Sequence, residues 1–163
     1  MKIGEIAIIA HKHQHSENFI KSICKKIDVT NGIFSFGRFE ANDELGLHLY
    51  GISLNQDDQQ LSWDFLSAKM MGYVFIFDWD NQLSFDVIRP LLDRFSSGLA
   101  APIVVVANIQ DLSQPPLPHV FFIGNGIYIS ANCRFTYGQV DQHESACKIL
   151  VLLIDMLLQR MNH

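Results

Sequence analysis

The sequence predicts a three-layer α/β domain built on a mostly parallel sheet with one antiparallel edge strand. Three observations predict it. Two continuous apolar runs, "YVFIFD" at 73–78 and "PIVVVAN" at 102–108, have the unbroken hydrophobicity of strands buried on both faces. Stretches of helical apolar period separate the runs, as parallel strands require crossovers. The segments "GIFSFGRFEA" and "ELGLHLYG" alternate at period two around a short "ANDE", which marks an antiparallel hairpin.

In chain order, Ile3 to Ala10 reads as a buried strand. Ser16 is expected to cap a helix whose apolar positions Phe19, Ile20, Ile23, Cys24 and Ile27 follow the helical period. The histidine-rich stretch between them, "AHKHQHSENF" at 10–19, is then a strand-to-helix loop. The hairpin follows, and from Asp58 to Met71 the pattern is helical and returns the chain to the "YVFIFD" strand. A helix near Ser84 to Phe95 contains Pro90, which must kink it or mark a late start. "PIVVVAN" is the next strand. "DLSQPPLPH" is too rich in proline for a helix, and "VFFIGNGIYIS" supplies one or two strands around Gly124 and Gly126. A last helix runs from about Asp141 to Met161.

With 163 residues, 48% of them hydrophobic, the chain suits one domain, 1–163, around one sizeable core. The formal charge of -5, with no basic cluster larger than Lys25-Lys26, argues against nucleic acid or anionic lipid as partners. Cys24, Cys133 and Cys147 are odd in number and form no CxxC pair. Gly4 and Glu5 sit where a signal peptide needs apolar residues, so the reading is a cytoplasmic protein with reduced thiols. "ILVLLIDMLL" at 149–158 is too short to span a bilayer and carries Asp155, which makes it a buried or partner-covered helix.

The histidines allow three readings: a metal site, a solvated loop, or the remains of a phosphate-binding loop. Period-two spacing in an extended segment would put His11, His13 and His15 on one side, and imidazole is the commonest metal ligand. No cysteine or carboxylate pair lies nearby except Glu17.

With its hairpin between the first two helices, the element order resembles the Ras-like small GTPase superfamily over almost the whole chain. "LHLYG" and "QLSWDFLSAKMMGYVFIFDWDN" are similar to bacterial Ras-like GTPases related to gliding-motility and surface-signalling switches. The resemblance implies a P-loop fold and a phosphate loop of the form G-x-x-x-x-G-K-[ST]. That frame falls on Ala10, His11, Lys12, His13, Gln14, His15, Ser16 and Glu17, and all four defining residues are lost: Ala10 and His15 replace the glycines, Ser16 the lysine and Glu17 the magnesium hydroxyl. Glu17 is expected to fill the anion position at the helix N-terminus itself.

The second-switch motif D-x-x-G-Q falls on Gly51, Ile52, Ser53, Leu54 and Asn55, again without its functional residues, and Thr30 stands in the loop of the first switch. The base-reading N-K-x-D motif keeps Asn108 and Asp111, with Ile109 in the lysine place. "YISAN" resembles the S-A-K loop through Ser130 and Ala131. Asn and Asp after a buried strand also form turn hydrogen bonds of their own, which is the structural alternative.

The resemblance therefore implies a pseudo-GTPase, without hydrolysis and without a resident cofactor. It would act as a protein-interaction module in bacterial signalling or motility, on a partner such as a roadblock-type protein, with a homodimer also open. The switch-like interface would comprise Phe36, Arg38, Asp57, Asp58, Gln60 and Trp63. Two alternatives stand beside it: a switch that binds GTP or GDP, with or without Mg, through non-standard phosphate contacts, and a metal sensor using His11, His13 and His15.

Overall fold

The computed structural model describes residues 1–30, 34–54, 68–98, 101–111 and 132–162. The elements run β1 (Lys2–Ala10), α1 (His13–Ile23), β2 (Ile27–Thr30), β3 (Phe34–Glu40), β4 (Leu45–Ser53), β5 (Gly72–Asp78), α2 (Gln82–Gly98), β6 (Ile103–Asn108), β7 (Cys133–Gly138) and α3 (His143–Met161). The seven strands form one sheet in the order β2-β3-β4-β1-β5-β6-β7. β4, β1, β5, β6 and β7 run parallel to one another. β3 pairs antiparallel with both β4 and β2, so it alone is reversed. The mostly parallel α/β architecture is as expected, but the reversed strand is not at the edge, because the short β2 covers it.

Side-chain alternation divides the core in two. Ile6 and Ile8 of β1, Val74 and Ile76 of β5, and Val104 and Val106 of β6 point to one face, where they meet Phe19, Ile20 and Ile23 of α1 and Ile149, Leu150 and Leu153 of α3. Ala7 and Ile9, Tyr73, Phe75 and Phe77, and Val105 and Ala107 point to the other, against Phe85, Ile88, Leu92 and Phe95 of α2. Strands covered on both faces must be apolar at every position, which is why the β5 and β6 runs are unbroken.

Several local expectations are corrected. Ser16 is not the cap of α1: the cap position is Lys12, and Ser16 is fully buried one turn inside, its hydroxyl donating to the His13 carbonyl at 3.0 Å. A small hydroxyl residue that bonds its own helix backbone can continue the buried stripe of Phe19, Ile20 and Ile23 by one more turn. His13 to Glu17 are therefore helical, and the strand-to-helix connection is only His11 and Lys12. Thr30 ends β2 rather than lying in a loop.

The hairpin turn lies where "ANDE" placed it. The Asn42 side-chain oxygen accepts from the Glu44 and Leu45 amides, both at 2.8 Å, a local Asx arrangement that closes the turn. α2 runs through Pro90, which is exposed, instead of starting late. Ala68 and Lys69 form a turn, so no helix reaches Met71. The rest of that expected helix, and the expected strands at 120–130, lie outside the described residues. β7 was not anticipated: "CRFTYG" is an edge strand with Arg134 and Thr136 interspersed and so lacks the apolar continuity of β5 and β6. The three cysteines are free, and burial pushes the thiols of Cys24 and Cys133 up to about 11.

Close packing of α1 on the hairpin depends on Gly37. A Cβ there would stand 2.5 Å from Ile20 Cγ2 and 2.8 Å from Cys24 Sγ. At Gly46, by contrast, the nearest atom is the flexible Met1 Sδ at 3.1 Å. Gly37→Ala is expected to lower unfolding stability by about 1–3 kcal/mol through overpacking. Gly46→Ala should change it much less. Urea denaturation of the two variants checks the difference.

Candidate functional site

In an open α/β sheet, ligand-binding crevices form outside the carboxyl ends of the strands, where successive connections leave to opposite faces. β1 leads to α1 on one face and the adjacent β5 leads to α2 on the other, so the reversal lies between β1 and β5. The carboxyl ends at this point carry a connected polar cluster.

Asp78, the last residue of β5, is its hub. Its carboxylate lies 3.2 Å from His15 Nε2 and 3.9 Å from Lys12 Nζ, and it accepts from Asn108 Nδ2 at 3.2 Å. Asn108 uses both ends of its amide, because its Oδ1 accepts from the Val140 backbone amide at 3.2 Å. Ser84 bonds the backbone of Asp78 in turn: the Asp78 amide donates to its Oγ at 2.9 Å, and the hydroxyl reaches the Asn81 carbonyl at 2.6 Å. One carboxylate and one carboxamide thus tie together the start of α1, the ends of β5 and β6, and the connection from β7 to α3.

Burial holds the His15 imidazole below its ordinary pKa of 6.5, against the smaller opposing pull of Asp78. In the neutral ring, Nε2–H donates to Asp78 and the Nδ1 lone pair is buried without a hydrogen-bond partner among the described residues. Beside this cluster lies a cleft of about 420 Å³, lined by His15, Gln14 and Asn18 of α1, Asn108 to Gln110 after β6, and Gln139 to Gln142. Its wall is dominated by carboxamides, which suits a neutral, hydrogen-bonding ligand better than a polyanion. A larger open depression of about 680 Å³ flanks β7 and α3 and shares Gln139 and Gln142, but it lies away from the point of reversal.

The expected phosphate-loop residues are thus distributed differently from a cradle. Ala10 is buried at the end of β1, and Ser53 Oγ donates to the His11 carbonyl at 3.0 Å, pinning the short connection to the end of β4. His13 and His15, two positions apart on a helix, point about 200° apart. His13 bonds Glu17 at 2.8 Å while His15 turns to Asp78. The premise of an extended segment with three imidazoles on one side therefore fails, and among the described residues no group of three or more His, Cys, Asp or Glu side chains converges as metal ligands would.

Glu17 is also placed differently from expectation. It lies in the second turn of α1, and no acidic residue occupies the first. A hydrogen bond from Lys21, at 2.6 Å, holds its carboxyl below the usual range. The carboxylate that reaches the start of α1 is Asp78, which in the sequence is merely the end of an apolar run. The signal that would have found it is a lone acid closing a doubly buried strand.

Asn108 sits at the cleft and Asp111 is exposed three residues on. Ser130 and Ala131 lie outside the described residues. The carbonyl of Asn132, the next residue, accepts from the Ile103 amide at the amino end of β6, roughly 16 Å along that strand from Asn108. The segment level with Asn108 is instead Gly138 to Val140.

Of the switch-like residues, Phe36 is half-buried on the hairpin, its ring 5.0 Å from Tyr50 and 5.2 Å from His48. Arg38 is exposed, 5.6 Å from the Phe36 ring and 3.5 Å from Asp28. Tyr50 donates to Glu5 at 3.0 Å, and burial together with that bond pushes its hydroxyl up to about 12. Asp57, Asp58, Gln60 and Trp63 lie outside the described residues, as does Asn55, while Gly51 to Ser53 are buried in β4.

A lowered histidine pKa means that the unfolded chain binds the proton more readily. The contribution of His15 to stability is thus fully present above pH 6.5 and is lost as the pH falls below that value. An NMR titration of His15 is expected to give a midpoint below 6.5, and Asp78→Asn, by removing the main group that raises it, a lower one still. A midpoint that Asp78→Asn leaves in place or raises would show that the carboxylate does not govern this ring.

No helix among the described residues is long and apolar enough to cross a membrane. No protein-family model and no curated protein matches the chain.

Proposed function

We propose that the chain is a degenerate relative of the Ras-like GTPases that keeps the fold as a protein-binding platform, in bacterial signalling or motility, and does not hydrolyse GTP. The observation that carries this reading is the connection from β1 to α1. Two residues, His11 and Lys12, join strand to helix, where a phosphate loop needs a run of backbone amides wrapped around the anion. The His15 amide is already committed to the Lys12 carbonyl at 3.1 Å. The nearest cation, Lys12, faces Asp78, whose negative charge at the head of α1 opposes a triphosphate. Phosphoryl transfer relies on charge stabilisation that this arrangement lacks.

The platform itself would be the hairpin, where the exposed Arg38 beside the half-buried Phe36 and Tyr50 offers an aromatic and cationic anchor of the kind that dominates binding energy. A second reading, nucleotide binding through the base alone, is favoured by the polar cleft beside Asn108.

Titration with fluorescent GTP, GDP and ATP, with and without magnesium, separates the two. The expected result is no magnesium-dependent turnover and no nucleotide-dependent rise in the thermal midpoint. Guanine-selective binding that weakens in Asp111→Ala supports the second reading, and hydrolysis that requires magnesium overturns the first. A protein captured by the chain from a bacterial lysate is expected to be lost with Arg38→Glu at an unchanged thermal midpoint.

A further inference from the structure

α3 carries two apolar stripes, one fully buried and a second that the fold covers only in part. Ala146, Ile149, Leu150, Leu153 and Met156 are buried against the sheet. Beside this stripe, Cys147, Val151, Ile154, Leu158 and Met161 recur at alternating spacings of four and three, the period of a coiled-coil seam. Val151, Leu158 and Met161 are 55%, 52% and 79% exposed, and Cys147 and Ile154 are half-buried. At its carboxyl end the seam is continuous with an apolar groove of about 520 Å³ bounded by Ile3 and Met71.

The charges beside the seam indicate what covers it. Lys148 and Asp155 both lie one helical turn from Val151, on the same flank, in opposite directions along the axis. A two-fold axis between Val151 and Leu152 would set each of them about 5 Å from that axis. Two antiparallel copies of α3 would then bring Lys148 of one level with Asp155 of the other, twice by symmetry, around a Val151 contact at the centre. In a two-fold parallel pair Lys148 and Asp155 of the two copies would lie on opposite flanks of the seam, so neither would face its complement. Lys148 already bridges the 85% exposed Glu144 at 3.2 Å, a solvated pair it can exchange at little cost, and Asp155 has no ion-pair partner among the described residues.

We propose that α3 is the interface of a two-fold antiparallel homodimer, with the occupant of its exposed seam being α3 of a second copy. The surface is separate from the hairpin platform and does not depend on it. A single helix pair buries less than a standard interface, so the dimer is expected to dissociate on dilution.

The test is molar mass by light scattering and sedimentation over a concentration series, with circular dichroism to confirm folding. The wild-type chain is expected to approach twice 18.5 kDa as concentration rises. Lys148→Glu and Asp155→Lys should each shift the curve toward monomer, and Val151→Glu, which brings two carboxylates together at the axis, should do so most strongly. The double reversal Lys148→Glu with Asp155→Lys should restore the dimer, because each copy again offers opposite charges to the other. A wild-type chain that stays monomeric at every concentration overturns the proposal. So does a folded double variant that fails to recover, or a Val151→Glu variant that dimerises like the wild type.

Discussion

The central strands are covered on both faces, and this double burial dictates where chemistry can occur. Between α1 and α3 on one side and α2 on the other, Ile6 to Ala10 of β1, Tyr73 to Phe77 of β5 and Ile103 to Ala107 of β6 have no position at which a polar side chain could be solvated. An unpaired polar group there would cost several kcal/mol. Polar side chains from the middle of the sheet are therefore confined to the strand ends. At the carboxyl ends they appear as Asp78 and Asn108, each closing an otherwise apolar run.

The same constraint explains why these two residues are so fully engaged. A carboxylate at the rim of an apolar sheet must be neutralised or hydrogen-bonded. Asp78 obtains both from His15 and Lys12 at the start of α1 and from Asn108 at the end of β6, two places far apart in the chain. The outcome is a latch across the head of the sheet. Holding α1 close to β5 with His15 also leaves only two residues between β1 and α1, so the latch and the short connection are two aspects of one arrangement.

The remaining surfaces are free of that demand. The hairpin presents rings packed on one another with Arg38 above them, and α3 presents a second apolar stripe beyond the one it buries. Each closes the core only in part, through Tyr50 on the hairpin and through Cys147 and Ile154 on α3. Both are surfaces where sequence is available for partners, one mixed aromatic and cationic, the other apolar with flanking charges.

The sequence by itself determined the layers. The unbroken runs of β5 and β6, the alternation and Asx turn of the hairpin, and the helical stripe from Phe19 to Ile23 are consequences of local period, which needs no tertiary context. It misplaced what depended on neighbours. Ser16 reads as a cap because a serine before an apolar stripe usually is one, but burial against β3 and β4 extended the helix past it by a turn. That shift turned a histidine loop into helix and sent His13 and His15 to opposite sides. β2 and β7 went unseen because edge strands are short or polar-interspersed and gain their pairing from the sheet. Asn108 was legible as a motif, but its partners were not. That Asp78 would meet it, along with His15 and Lys12, was decided only when the parallel register of β1, β5 and β6 brought their carboxyl ends to one rim, since a contact across 30 or more residues leaves no periodic trace in the chain.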